Sequence, residues 1–182
     1  MHRSIHVLTG LLIALAIVHP ACAAVNDGAA NGFSVSENTH IAAPPGKVYE
    51  ELVGPAHWWS SRHTFSQDAG NLVLDPKAGG CWCEKLPDGG SVLHLIVVRA
   101  DPGKILAMRG ALGPLQGSGV EGAMTISLKP AADGTDLTLT YTVGGYLKDG
   151  LQRFAGPVDS VLAEQVARLK ALIETGSPEP KS

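Results

Sequence analysis

Alternating and helical patterns of hydrophobic positions divide the chain into strands and helices. Residues 33–43, FSVSENTHIAA, alternate with the period of two that is typical of a strand. Pro44 and Pro45 end this segment, and apolar positions then recur at helical spacing until the chain reaches Gly54. Residues 56–61, AHWWSS, predict a second short helix or a turn.

Between residues 72 and 145 the pattern changes to strands separated by turns. Apolar and β-branched segments flank the turn sequences PDGG, ADPG and AADG, which are typical of hairpins. Six consecutive antiparallel strands in a meander are therefore predicted, which with the first strand makes about seven. The Gly-rich segment over residues 110–122 joins two of these strands, and we expect a long, mobile loop at the mouth of a cavity.

The last regular element is predicted to be a long amphipathic helix between Pro157 and Gly176. Its apolar residues form one stripe opposite the charged ones: Val158, Val161, Leu162, Val166, Leu169, Leu172 and Ile173. A sheet of this length must curl, and so wide an apolar helix face needs a surface that buries it. The economical arrangement is an α+β fold in which the helix lies in the curled sheet, with room for a ligand between them.

The first 23 residues have the features of a cleaved export signal. Arg3 precedes an apolar run that is too short to span a membrane, and Ala-Cys-Ala at residues 21–23 fits a signal-peptidase site. We therefore expect a signal peptide over residues 1–23 and a periplasmic or secreted protein. Cys22 raises the alternative of a lipid anchor, but His19 stands where the lipoprotein signal has Leu.

The remaining chain is predicted to form one domain with flexible ends. Residues 24–32 are interpreted as a flexible leader, residues 33–176 as the domain, and residues 177–182 as a disordered tail. The chain has fourteen Lys and Arg against seventeen Asp and Glu, a net charge of −3, without a basic cluster. This balance excludes an electrostatic interface for nucleic acid. No membrane span is expected in the mature chain, and we expect a monomer or a weak dimer.

Four segments carry a resemblance to a known superfamily: residues 41–60 (IAAPPGKVYEELVGPAHWWS), 75–84 (DPKAGGCWCE), 97–110 (VVRADPGKILAMRG) and 167–176 (ARLKALIETG). Through them the chain resembles the SRPBCC superfamily, also called START-like or helix-grip proteins. Within it, the chain is most similar to homologues of heat-shock-ATPase activators and to polyketide-cyclase-like proteins.

The resemblance implies a helix-grip fold over residues 33–176. Its expected parts are a curled antiparallel sheet of about seven strands around a long C-terminal helix, with two short helices after strand one. The superfamily includes lipid carriers, hormone-binding proteins, cyclases and co-chaperones, so the resemblance implies no single function. Cys81 stands where relatives usually have Arg or Lys before an aromatic residue. Export argues against a co-chaperone role.

Cys81 and Cys83 permit three interpretations. With a turn in PDGG, Cys83 is predicted to lie opposite His94 and Cys81 opposite Ile96, so that both cysteines and His94 share one face. Two thiolates and an imidazole could bind Zn(II) or Cu(I). A disulfide or redox pair would need a bulge, since same-face Cα atoms in a regular strand are about 6.6 Å apart. We favour reduced, partly buried packing cysteines.

The sequence predicts a binding protein rather than an enzyme, without a cofactor. The expected ligand is an apolar or amphipathic small molecule, lipid-like or aromatic, in a hydrophobic cavity lined by Trp58, Trp59, Trp82, Met108, Tyr141 and Phe154. Ordinary core packing is the alternative for each. No catalytic residue is assigned, because no nucleophile elbow occurs and the sequence spacing does not pair any carboxylate with a His or a second carboxylate. The alternative functions are a cyclase- or hydrolase-like enzyme using Glu84 or His94, and a metal or redox site at the cysteines.

Overall fold

Eight antiparallel strands and two α-helices organise residues 24–179, the part of the chain that the computed structural model describes. The predicted signal peptide and the last three residues lie outside this part. The elements are β1 (Ala24–Ala29), β2 (Gly32–Ile41), α1 (Pro45–Leu52), β3 (Leu72–Leu74), β4 (Cys81–Lys85), β5 (Ser91–Asp101), β6 (Ile105–Arg109), β7 (Gly119–Ala131), β8 (Gly134–Tyr146) and α2 (Ala155–Thr175).

The strands form one sheet in the order β1-β2-β8-β7-β6-β5-β4-β3, with every neighbouring pair antiparallel. From β3 to β8 each strand pairs with the next one along the chain, which confirms the predicted six-strand meander. The sheet curls around α2, so the predicted α+β helix-grip fold is also confirmed. No helix within residues 24–179 combines the length and the apolar character that crossing a membrane requires.

One strand was not predicted. Residues 24–29 lie in the segment interpreted as a flexible leader, but they form β1 and pair with β2 from Ala24↔Ser36 to Ala29↔Gly32. The leader interpretation is wrong there, and the sheet has eight strands instead of about seven. The segment is rich in small and polar residues, and its order comes from the backbone partners that the edge of β2 offers.

The short helices after β2 agree with the prediction in position. Helix α1 buries Val48, Tyr49 and Leu52 on its apolar face. The second predicted helix is a single 3₁₀ turn, Pro55–His57, which turns the chain so that the two tryptophans after it enter the interior.

The core lies between the inner face of the sheet and α2. The helix buries Ala155, Leu162, Gln165, Val166, Leu169 and Ala171 against the sheet. It ends at Gly176, which adopts φ 78° and donates its N–H to the Leu172 carbonyl. This left-handed cap favours glycine because glycine has no Cβ.

Candidate functional site

A cavity of about 640 Å³ lies between the sheet and the N-terminal half of α2. We call it the inner cavity. Helix α2 contributes one wall with Pro157, Val158, Val161 and Leu162. The opposite wall comes from Leu72 of β3, Trp82 of β4 and His94 of β5, and the loop over residues 112–114 closes one side. The volume lies in the range of roughly 300–1,000 Å³ that is typical of small-molecule sites.

Three tryptophans form the aromatic end of this cavity. Trp58, Trp59 and Trp82 contact one another edge to face, with ring centroids 4.9–6.0 Å apart, the arrangement that aromatic quadrupoles favour. The indole N–H groups of Trp58 and Trp59 donate to backbone carbonyls at 3.0 Å. Trp59 and Trp82 line the inner cavity, and Trp58 packs behind them.

Glu84 and His94 form a buried polar pair at the cavity wall. His94 Nε2 lies 2.9 Å from Glu84 Oε2, and the Glu84 carboxylate also accepts the backbone N–H groups of Phe65 at 3.1 Å and Ser66 at 2.5 Å. Burial alone would raise the pKa of Glu84, but the hydrogen bonds from Ser66, Phe65 and His94 lower it below its usual value. The other ring nitrogen, His94 Nδ1, lies 3.4 Å from Gln116 Nε2, so the imidazole could exchange a proton with a bound molecule only if that molecule replaces Gln116 or Glu84 as its partner.

A β-bulge brings this pair together. Trp82 pairs with Leu95, but the next residue, Cys83, pairs with Leu93, so His94 is an extra residue in β5. A regular hairpin would place His94 opposite Cys83 and on the same face as the cysteines, as predicted from the sequence. That prediction is wrong, because the bulge turns the imidazole to the inner face, beside Glu84.

Cys81 and Cys83 are joined by a disulfide, with their Cα atoms 5.5 Å apart. They lie on the outer face of the sheet, opposite Val73, Leu93 and Ile96 of the neighbouring strands. The structure therefore contradicts the favoured interpretation of reduced cysteines. It also contradicts the metal site, because the sulfur atoms are bonded to each other and His94 lies on the other face. Within residues 24–179, no group of three or more His, Cys, Asp or Glu side chains could hold a metal ion.

Charged side chains occur at the rim of the inner cavity. Arg62 donates to Glu164 at 2.9 Å, and His63 Nε2 lies 3.2 Å from the same carboxylate. Burial favours a higher pKa for Glu164, but hydrogen bonds from Arg62 and His63 lower it. The Arg153 guanidinium stands 5.2 Å from the centre of the Phe154 ring. The cavity thus has an apolar body with two arginines at its rim.

The sequence model of the family described as polyketide cyclase / dehydrase and lipid transport matches residues 32–174. The chain belongs to this family. The match extends from β2 through most of α2, so it includes the walls of the inner cavity and confirms the SRPBCC resemblance. Among proteins with curated functions, none matches this chain.

Several solved structures share the architecture of this family member. Protein MLL2253 from Mesorhizobium loti is 19% identical over 78% of this chain and 96% of that chain, with a TM-score of 0.58. CalU16 from Micromonospora echinospora is 16% identical over 89% and 88%, with a TM-score of 0.56. The Aha1 dimer from Colwellia psychrerythraea is 19% identical over 79% and 97%, with a TM-score of 0.54. At these identities the likeness shows the fold alone.

The six predicted lining residues of this family member separate into two groups. Trp59, Trp82 and Phe154 line the inner cavity. Trp58 and Met108 are buried core residues outside its lining. Tyr141 is also buried, and burial raises the pKa of its hydroxyl to about 12.

Tyr141 contacts the loop that closes one side of the inner cavity. Its hydroxyl donates to the Gly110 carbonyl at 3.0 Å and accepts the Leu112 N–H at 3.0 Å. Gly110 itself approaches the bulge closely, since a Cβ built there would lie 2.5 Å from the His94 carbonyl oxygen. The loop wall of the cavity is therefore anchored at Tyr141 and at the bulge.

Sequence reasoning missed several residues of the site. Val158, Val161 and Leu162 belong to the apolar stripe of the predicted helix, but a stripe does not show which of its residues face a cavity. Arg62 and Arg153 have no pattern that separates them from other surface charges. The pairing of Glu84 with His94 depends on the bulge, for which the local sequence has no signal.

Proposed function

We propose that this protein binds an apolar or amphipathic small molecule, lipid-like or aromatic, in the inner cavity. The observation that carries the proposal is the cavity of about 640 Å³ between the sheet and α2, with aromatic and aliphatic walls. Family membership supports it, because the family's description includes lipid transport. The partner would be a small hydrophobic ligand, and binding it would require no cofactor.

The distribution of polar groups indicates how such a ligand would be oriented. Its apolar body would pack on Trp59, Trp82 and the α2 wall, where burying apolar surface gives roughly 25 cal/mol per Å². A polar or anionic end would point to the rim, where the Arg62 and Arg153 side chains are 79% and 51% exposed. Both guanidiniums can donate to a carboxylate or sulfonate without burying an unpaired charge.

Two measurements test the proposal. Native mass spectrometry of the purified protein, repeated after denaturation, should show an organic mass that is lost when the fold is lost. Titration of the emptied protein with 1-anilinonaphthalene-8-sulfonate, an aromatic sulfonate, should show saturable binding that shifts tryptophan emission, because all three tryptophans of the chain lie at the cavity end. A protein without bound mass that also fails to bind the probe would contradict the proposal.

A second candidate function is acid–base catalysis on the bound molecule. The buried, hydrogen-bonded Glu84–His94 pair at the cavity wall favours it, because a carboxylate that orients an imidazole is suited to proton transfer. The test is to incubate the recovered ligand with wild type and with His94→Gln. Conversion by wild type alone, with equal ligand retention in both proteins, would support catalysis. Unchanged ligand in both would exclude it for that molecule.

We also propose that the protein is exported, as residues 1–23 predict. The Cys81–Cys83 disulfide supports this, because disulfides persist in oxidising compartments such as the periplasm. The intact mass of the protein recovered from its cell fraction tests the proposal. Loss of residues 1–23 in the extracytoplasmic fraction is expected, and a full-length cytoplasmic chain would contradict it.

A further inference from the structure

We propose that the Cys81–Cys83 disulfide is a thiol–disulfide exchange site, and that its reduction by a dithiol moves Trp82 in the wall of the inner cavity. The ligand site does not use the disulfide, which lies on the opposite face of the sheet. Three observations carry the proposal: where the sulfur atoms lie, how short the closed loop is, and which residue stands between the cysteines.

The two cysteines are accessible to a reductant. Both are half-buried on the outer face of β4, and their neighbours on that face are exposed, with Val73, Leu93 and Ile96 at 44%, 53% and 43%. Strand alternation places Lys85, also exposed, on the same face two residues after Cys83. A nearby ammonium favours a thiolate and therefore favours exchange at this pair.

A purely structural role explains little of this bridge. A disulfide stabilises a fold mainly by restricting the unfolded chain, and that effect grows with the length of the loop that it closes. The cysteines are only two positions apart, so the restriction is far smaller than that of a bridge between distant elements. Both cysteines also lie in one strand whose pairing with β3 and β5 is made by backbone hydrogen bonds.

The bridge does constrain the strand locally. The Cα atoms of Cys81 and Cys83 are 5.5 Å apart, whereas same-face neighbours in a regular strand are about 6.6 Å apart. Strand β4 is therefore shortened by about 1 Å at Trp82 relative to a regular strand, opposite the place where β5 carries the extra residue His94. Opening the bridge allows β4 to lengthen toward regular spacing.

Trp82 couples this change to the cavity. It is the single residue between the cysteines, and its side chain points to the opposite face, where it contacts Trp58 and Trp59 and lines the inner cavity. A movement of its Cα shifts the ring relative to the cavity, because the ring packs edge to face against Trp58 and Trp59 on one side.

The exchange requires a dithiol, because a monothiol forms a mixed disulfide that the released cysteine reverses. One thiolate of the reductant attacks a sulfur of the bridge and forms a mixed disulfide, which releases the other cysteine as a thiolate. The second reductant thiol then attacks the mixed disulfide and leaves as part of an intramolecular disulfide. The reductant loses two electrons and two protons, and Cys81 and Cys83 end as two thiols. With a monothiol, the released cysteine remains two residues away and expels it again.

The experiment uses the folded, oxidised protein and needs no ligand. It is treated with dithiothreitol or with glutathione at equal thiol concentration, free thiols are alkylated with N-ethylmaleimide, and the mass of the product is measured by mass spectrometry. In a parallel sample without alkylation, the three indole N–H signals are followed by NMR. Dithiothreitol is expected to make both Cys81 and Cys83 available for alkylation in a folded protein, and to shift the Trp82 signal more than those of Trp58 and Trp59. Glutathione is expected to give much less of the doubly alkylated form.

Matched variants complete the test. Cys81→Ser/Cys83→Ser should show the Trp82 signal near its reduced position and no response to dithiothreitol, whereas Val73→Ser, on the same outer face, should respond like wild type. Alkylation only in denaturant, or a Trp82 signal that reduction leaves in place, would overturn the proposal. Because neither readout involves a ligand, this result is independent of whether the cavity binds one.

Discussion

Glu84 and His94 lie on adjacent strands, and their side chains meet at 2.9 Å because β5 contains one residue more than β4 at their bulge. The same bulge separates the imidazole from the cysteines, which lie on the outer face. One irregularity in strand pairing therefore places the imidazole at the cavity wall and keeps it away from the outer face that carries the cysteines.

Replacing Glu84 should destabilise the protein in a pH-dependent way. Glu84→Gln removes a buried carboxylate that accepts two backbone N–H groups and faces His94, and hydrogen bonds to charged groups contribute about 1.5–3 kcal/mol each. We expect the free energy of unfolding at neutral pH to fall by about 2–4 kcal/mol, as measured in urea.

The sign of the pH dependence of the Glu84→Gln effect follows from the lowered pKa of Glu84. A carboxyl whose folded pKa lies below its unfolded value adds stability above the unfolded pKa and loses it as pH falls through the folded pKa. The difference between wild type and Glu84→Gln should therefore shrink in acid. Glu50→Gln, at an exposed pair with Lys47, is the control and should change stability by about 0.5 kcal/mol or less. A constant difference across pH would contradict the assignment.

Glu37 should have the opposite pH dependence. It is buried on β2 beside Asp159 of α2, and burial followed by repulsion from Asp159 raises its pKa to about 7. Between the unfolded value of 4.5 and about 7, the folded state retains a proton that the unfolded state has lost, so stability falls as pH rises through this window. Across this window the free energy of unfolding should fall by about 3 kcal/mol.

Glu37→Gln should remove this loss, because the amide resembles the protonated carboxyl and cannot ionise. Above pH 7 the variant should be more stable than wild type by up to about 3 kcal/mol, and near pH 4.5 the two should be similar. Thermal or urea unfolding across this range measures the effect, with the exposed Glu121→Gln as a control. A variant that is less stable than wild type at pH 8 would show that Glu37 is ionised and paired there.

Filling the inner cavity should weaken ligand binding. Val161→Phe adds a ring to the α2 wall, so the Kd for 1-anilinonaphthalene-8-sulfonate should rise at least about tenfold, which corresponds to about 1.4 kcal/mol. Val98→Phe makes the same change on the exposed outer face of β5 and should leave the Kd unchanged. Equal effects of both variants would place the probe outside the cavity.

Removing the Tyr141 hydroxyl should loosen the loop wall. Tyr141→Phe leaves the Gly110 carbonyl and the Leu112 N–H without their partner, and we expect a loss of about 1–3 kcal/mol. Amide hydrogen exchange at Leu112 should become faster. Tyr49→Phe is the matched control, because the buried Tyr49 hydroxyl has no hydrogen-bond partner among residues 24–179, and its removal should cost almost nothing. Equal costs would mean that the loop is held by other contacts.

Hydrophobic periodicity was sufficient to predict most of the fold. The six-strand meander, the apolar face of α1 and the long amphipathic helix ending at Gly176 have local signals, and each of them is present in the structure. The strand at residues 24–29 has no such signal, because its order depends on the open edge of β2. Regions whose stability comes from a partner strand are hard to recognise in a single sequence.

The pattern of apolar positions is enough to specify the architecture and the apolar faces that enclose the cavity, because a period of two or 3.6 residues decides which side chains each element can bury. The contact of His94 with Glu84 and the bond between Cys81 and Cys83 depend on how the strands pair in the folded protein. For His94, one extra residue in β5 reverses the face of the side chain at the bulge. For the cysteines, strand alternation predicts the shared face but not the Cα separation of 5.5 Å at which the disulfide forms. Whether β5 accommodates the extra residue at the bulge depends on the pairing and packing of both strands, and not on the residues next to it in the sequence.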